Sequence, residues 1–318
     1  MKKVSIIVIL IFTAVNSGSA VEPVSTFSIV GCDPVAGELG VAVASKYFSV
    51  GSVVPWARAG VGAVATQSYV NFDYGIIGLE LLEAGLSPQD IIDSLVSADP
   101  GYARRQVGII DFEGNAASYT GPECLDWAGG LIGDNCAAQG NILVSDKVVS
   151  RMVERFENAE GDLADKLMAA LLAGDSAGGD SRGKQSAALY VVSKKEGLRY
   201  DRQIDIRVDD SPAPFDELYR IFKIAKALSH LDNAAYYNRI GEIQMAVKEA
   251  RAAVELGPDL AETYYDLACY LTLAGQFDEA LFSIETALKL SPKFKAMAAG
   301  DSDLLGLRSF PEFQELIK

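Results

Sequence analysis

Histidine is almost absent from this 318-residue chain: the one residue, His230, lies in its C-terminal third. A Ser-His-Asp triad or a Cys-His pair in the N-terminal part is thereby excluded. Acyl-bond chemistry there must take its base from a lysine, a carboxylate or an N-terminal amine. Cysteine is scarce too. There are four, with no C-x-x-C and no Cys/His cluster at metal-ligand spacing, so neither a zinc site nor a cofactor is expected. Positive charge is in deficit, with 28 Lys and Arg against 43 Asp and Glu and a net charge of −15. Such a chain repels nucleic acid and anionic membrane surfaces, and neither is expected as a partner. Long apolar runs are missing as well: the longest, residues 4–15, falls well short of the about 20 residues a membrane helix needs.

That run follows Met1-Lys2-Lys3 and precedes Asn16-Ser17-Gly18-Ser19-Ala20. A basic start, a short apolar core and a small-x-small end read as a secretory signal peptide over 1–20, cut after Ala20. The mature chain is therefore expected to be exported, periplasmic or secreted, with no membrane span. Export permits a disulfide, and Cys124 with Cys136 is the local pair able to form one; the alternative is four buried thiols.

The stretch 26–46, T-F-S-I-V-G-C-D-P-V-A-G-E-L-G-V-A-V-A-S-K, predicts a hairpin: strands 26–32 and 39–45 with Asp33-Pro34-Val35-Ala36-Gly37 as turn. Further strands are predicted at 52–56 and 60–67, followed by helices 76–84 and 88–98; Ser87-Pro88-Gln89-Asp90 is a strong helix start. Strands 105–111 and 116–120 come next, joined by Phe112-Glu113-Gly114-Asn115. The passage 121–140 reads as loop, ending in an apolar strand after Gln139-Gly140-Asn141. Helices 145–158 and 161–173, a glycine-rich loop 174–183 and strands 186–193 and 205–208 complete the pattern. Strands, two helices, strands, two helices, strands suggest two sheets between helix layers, an α+β domain over 21–210.

At Asp209-Asp210-Ser211-Pro212-Ala213-Pro214 the composition changes, and 211–318 reads as helix throughout. Gly241, Ala246, Ala253, Leu256 and Pro258 recur 34 residues on as Gly275, Ala280, Ala287, Leu290 and Pro292, and Tyr236 recurs as Tyr270. With Tyr264, Leu267 and Ala268 in the first helix of the second unit, this resembles the tetratricopeptide repeat and implies a protein partner. Two repeats bury their faces poorly alone, so helices 215–228 and 311–317 are expected to cap them, or the array to dock on the first domain.

Several residues stand out for chemistry. Were processing to expose Thr26 as the N-terminus, its α-amine would serve as base for its own hydroxyl. Ser25 is a weaker alternative, and cleavage after Ala20 leaves five residues ahead of Thr26, so a second cut is required. Lys46 ends the second strand, able to point back to the start of the first or to solvent. Gln139 and Asn141 flank Gly140 and can donate to an oxyanion or to loop carbonyls. Gln67 ends an inner strand toward the same cleft. In 178–186, G-G-D-S-R-G-K-Q-S, Asp180 and Arg182 either fix a polar or carboxylate-bearing ligand or pair with each other, with Gln185 beside them. The loop lacks the spacing of a phosphate-binding P-loop. Trp56 and Trp127 read as core or subunit-contact aromatics.

The segment 26–46, with V-P-W-A-R-A-G-V-G-A-V-A-T-Q, A-A-Q-G-N-I-L-V and G-G-D-S-R-G-K-Q-S-A-A-L, resembles the domain-of-unknown-function 1028 (DUF1028) family over roughly residues 26–210. The resemblance implies an αββα four-layer sandwich of the N-terminal-nucleophile (Ntn) hydrolase type, and no established substrate. Carried over, it makes Thr26 the nucleophile, Lys46 the cation that lowers its pKa and Asn141 the oxyanion donor. Gln67, Gln139, Asp180, Arg182 and Gln185 would then contact a small amide or peptide substrate. By analogy with that architecture a homo-oligomer is expected. The alternative is a catalytically silent ligand-binding or scaffold domain, with the repeats acting through protein contacts.

Overall fold

The computed structural model describes residues 26–194 and 202–318. The expected leader and its cleavage site, and Ser25, lie outside the described residues. Among the described residues ten strands form two antiparallel sheets.

The larger sheet takes β1 (Thr26–Asp33), β2 (Glu38–Ser45), β7 (Gly129–Gly133), β8 (Cys136–Asn141), β9 (Ser186–Ser193) and β10 (Arg202–Val208), in the order β10-β9-β2-β1-β8-β7. The smaller takes β3 (Pro55–Arg58), β4 (Gly62–Ser68), β5 (Arg105–Asp111) and β6 (Ala116–Thr120), in chain order. Alternation explains how they stack. On β1, Phe27 and Ile29 face one way into a core with α3 (Lys147–Asn158) and α4 (Leu163–Ser176), while Val30 and Cys32 face the other way, toward Ala63, Ala65 and Ile110 of the smaller sheet. The outer face of the smaller sheet is covered by α1 (Phe72–Glu83) and α2 (Pro88–Ala98), through Leu79, Leu82, Ile91 and Ile92. Helices, sheet, sheet, helices is the resulting layering.

Local signals account for the elements that match expectation. Ser87 Oγ accepts the Asp90 N–H at 3.2 Å and Pro88 opens the first turn of α2, a cap worth about 1 kcal/mol. Elsewhere the expectation is corrected. Helix α1 begins at Phe72, ahead of 76, because Asn71 Oδ1 accepts the Asp73 N–H and caps it there. The expected strand 52–56 is a 3-10 turn, Val50–Ser52, followed by β3 from Pro55. The expected loop 121–140 holds β7 and most of β8, and the expected apolar strand past Asn141 is broken at Ile142, whose φ is +54°. Glycine misled there: a Cβ on Gly130 would lie 2.4 Å from Ser118 Oγ, so its lack of a side chain serves packing rather than a turn.

Helix α5 runs over Pro214–Arg239, well beyond the expected 228. Its first half places Phe215, Leu218 and Phe222 in the core of the larger sheet; Ala234 belongs to a second core. One helix is thus shared by both cores. Beyond it, α6 (Ile243–Leu256), α7 (Ala261–Leu273) and α8 (Phe277–Leu290) pack as successive antiparallel neighbours. The chain then folds back through α9 (Phe294–Gly300) and α10 (Pro311–Leu316), burying Leu304, Leu307 and Phe313 against α7 and α8. No helix among the described residues is long and apolar enough to cross a membrane.

Candidate functional site

Thr26 opens the central strand of the larger sheet, where the register sets it between Ser45 of β2 and Asn141 of β8. Its Oγ1 donates to Ser45 Oγ at 3.3 Å, and the residue is fully buried. The next inward-facing residue of β1, Ser28, starts a polar network in the seam between the sheets. Ser28 Oγ donates to Gln67 Oε1 at 2.6 Å and accepts from Gln139 Nε2 at 2.6 Å. Gln67 Nε2 donates to Gln106 Oε1 at 2.8 Å, to the Gln139 carbonyl at 3.2 Å and to the Thr26 carbonyl at 3.3 Å. Asn141 Nδ2 donates to Gln106 Oε1 at 2.9 Å, and Gln106 Nε2 returns a bond to the Gly140 carbonyl at 2.7 Å. Ser28, Gln67, Gln106, Gln139 and Asn141 are all fully buried. Side-chain amides are suited to this place because each donates and accepts, so strands of both sheets are tied without burying a charge. Gly108 completes the fit, for a Cβ there would lie 2.1 Å from Gln139 Oε1.

The loop after α4 closes the same end of the sheet. Asp180, nearly buried, pairs with Arg182 at 3.1 Å. Together they grip the backbone of Lys46: its N–H donates to Asp180 Oδ2 at 2.8 Å and its carbonyl accepts from Arg182 at 3.1 Å. The Gln185 N–H donates to the Ser45 carbonyl at 3.1 Å, while its side chain donates to Asp210 Oδ1 at 3.1 Å. The loop reaches this position through Gly178 and Gly179, both with positive φ. A Cβ on Gly179 would sit 3.1 Å from Phe27, whose ring stacks on Phe215 with centroids 6.1 Å apart.

Thr26, Lys46, Asn141, Asp180, Arg182 and Gln185 are therefore gathered at one end of the larger sheet. The roles expected for them do not all follow. Lys46 Nζ donates to the Lys184 carbonyl at 3.4 Å, not to Thr26. Gln67 and Gln139 lie inside the seam and line no open cleft, and Asp180 and Arg182 pair with each other and hold backbone. Ser45, Ser28 and Gln106 were missed by sequence reasoning. For Gln106 the signal was there: in R-Q-V-G-I-I-D it occupies the same face as Gly108 and Ile110, so an amide points where alternation puts the interior.

Of the two readings of the cysteines, a Cys124–Cys136 bridge and free buried thiols, the bridge is not formed: both thiols are free, and Cys124 is only half-buried. Cys136 is buried in the core beneath α3 and α4, where burial pushes its thiol up to about 12. Cys124 stays outside that core, its Sγ 3.4 Å from the Arg105 carbonyl. Among the described residues no cluster of His, Cys, Asp and Glu is placed to hold a metal ion.

Comparison with known proteins bears on the whole arrangement. The model of a family of unknown function, DUF1028, matches residues 26–218. That of the tetratricopeptide repeat matches residues 261–294, the pair α7 and α8. The crystal structure of protein SPO2555 from Silicibacter pomeroyi, assigned to the DUF1028 family model, is 31% identical with a TM-score of 0.59, over 64% of this chain and 89% of that one. No curated protein matches the chain.

Proposed function

The chain belongs to the DUF1028 family, and on that premise we propose that it is an exported amidohydrolase of the Ntn type whose nucleophile is Thr26. The observation that carries the reading is the place of Thr26: first residue of the central strand, one hydroxyl (Ser45) on one side and an amide (Asn141) on the other. The layering of helices, sheet, sheet and helices supports it, as does the lack of any histidine in this domain.

In this reading, cleavage before Thr26 frees an α-amine two bonds from the carbon that bears Oγ1. The amine takes the hydroxyl proton as Oγ1 attacks the substrate carbonyl, and returns it to the leaving amine as the C–N bond breaks. Water then hydrolyses the ester on Thr26 with the same amine as base. Asn141 and neighbouring backbone N–H groups stabilise the oxyanion. Asp180 and Arg182 act by holding the end of β2, which carries Ser45, against Thr26. The substrate class is an amide of a small peptide or amino-acid conjugate. The repeat suggests protein interactions, and we assign it the docking of a partner.

The test is hydrolysis of a panel of small amides by the processed protein. Thr26→Ser is expected to retain activity and Thr26→Ala to lose it by roughly 1,000-fold or more. Equal rates in the two variants would sink the mechanism. Two observations favour a second reading, a silent ligand-binding or scaffold domain that works through the repeats: Thr26 is fully buried and Lys46 Nζ is engaged elsewhere.

A further inference from the structure

Among the described residues the two sheets have four edge strands, and an edge strand has a row of backbone N–H and C=O groups open to pairing. Three of the four are blunted or covered. On β10 stand Arg202, Asp205 and Arg207 and a register shift between Arg202 and Ile204; β3 has four residues, beginning with Pro55 and ending with Arg58. On β6 every residue is at least partly buried. The fourth edge, β7, is different. From Trp127 to Gly133 the chain reads W-A-G-G-L-I-G with no ionisable group, between Asp126 and Asp134. Leu131 is 43% exposed and Ile132 51%, with Leu125 exposed just upstream. Strand β6, which packs over β7 at this side of the molecule, carries no charge either.

Charged strands thus close one side of the two sheets and uncharged strands the other, in a chain of net charge −15. That asymmetry restricts what can pair here. Two copies of so acidic a chain repel each other over most of their surface and can approach closely only through a strip that carries no charge. We propose that β7 pairs antiparallel with β7 of a second copy, about a two-fold axis at Leu131, joining two six-stranded sheets into one. The strip is self-complementary in that arrangement. Leu131 faces its counterpart, Gly129 faces Gly133, and Gly130 faces Ile132, so each large side chain meets a small one or its own kind. The two Asp134 carboxylates fall at opposite ends of the paired strands, about 20 Å apart at the rise of a β-strand, beyond the roughly 8 Å screening length of physiological salt; the acid each comes near is Asp126 of the other copy, two positions past its partner Ala128, where the chain has already bent out of the strand. Thr26 is in neither strand, so this pairing stands or falls independently of the hydrolase reading.

Light scattering on the full processed chain at micromolar concentration tests it. The wild type is expected at twice the chain mass and the Leu131→Lys/Ile132→Lys variant at the chain mass, with an unchanged circular dichroism spectrum. Arg207→Ala, on the charged side, is expected to stay dimeric. A monomeric wild type, a dimer that survives the two lysines, or a different protein found paired with β7 overturns the proposal. Should the lysine variant not fold, hydrogen exchange on the wild type decides. All amides of 129–133 are expected to exchange as slowly as those of β8, and fast exchange at alternate positions of β7 overturns the pairing.

Discussion

Thr26 Oγ1 lies 3.3 Å from Ser45 Oγ, across the first rung of the β1–β2 ladder. The two hydroxyls meet because the hairpin keeps a constant register from this rung to the Asp33–Glu38 pair at its turn. A hairpin whose turn is fixed at Asp33–Gly37 delivers residue 26 to residue 45 with no adjustment along the way. What surrounds the pair comes from far off in sequence: Asn141 from β8, Gln67 and Gln106 from the smaller sheet, and the grip of Asp180 and Arg182 on Lys46.

Gln106 is the residue on which the seam depends most. It accepts from Gln67 and Asn141 and donates to the Gly140 carbonyl in buried surroundings, and donates to Thr120 at the half-buried margin. Gln106→Leu orphans several buried polar groups at once, each costing about 1–3 kcal/mol. A loss of about 3 kcal/mol or more in urea unfolding is expected, against less than about 1 kcal/mol for the exposed Gln89→Leu. Equal effects would mean that the network contributes nothing.

The repeat region carries a second electrostatic signature. Burial, with the charges of Asp301 and Glu262 adding to it, pushes the Asp266 carboxyl up to about 6. A folded-state pKa above the ordinary carboxylate value means that the folded chain holds this proton more tightly than the unfolded one. This group's contribution to stability is therefore fully present below about pH 4 and is lost as pH rises through about 6. Asp266→Asn should stabilise the protein by about 1–2 kcal/mol at pH 7.5 and remove the slope in stability between pH 4 and 6. Thermal unfolding across that range checks it; an unaltered slope would contradict it.

With every thiol free, reductant has nothing to cleave. Dithiothreitol is expected to leave the melting temperature unchanged. A thiol-reactive dye should label Cys32, Cys136 and Cys269 only after denaturation, since burial holds Cys32 and Cys136 up to about 12 and raises Cys269 further, while the half-buried Cys124 is labelled first. A drop in melting temperature on reduction would restore the bridge between Cys124 and Cys136.

How legible each part was follows from how local its causes are. The hairpin β1–β2, the pair β5–β6, strand β9 and helix α2 could be read directly, because alternation, turn residues and a Ser-Pro start lie inside the segments themselves. Strand β7 could not. Its glycines answer to Ser118 on β6 and to Val153 and Glu157 on α3, contacts that exist only once sheet and helix are stacked. Which of the two cysteine readings holds was hidden for the same reason, for the β7–β8 hairpin carries Cys136 into the core while Cys124 stays outside. Of the candidate site, the strand-end residues were found because strands beginning and ending together in a hairpin share an end. The inner network, Gln106 above all, depends on which sheet lies over which, and the repeat pattern, which left capping and docking on the first domain both open, did not reveal that the single helix α5 would serve both cores.

Whether processing makes Thr26 an N-terminal nucleophile is read from the mature N-terminus of the protein recovered after export from the cells that make it. Intact mass and terminal sequencing are expected to give a chain beginning at Thr26, and the same cut to fail when Thr26 is replaced by alanine if the cleavage is autocatalytic. A chain that begins at Val21 and stays so would contradict the account and leave the domain as a binding scaffold.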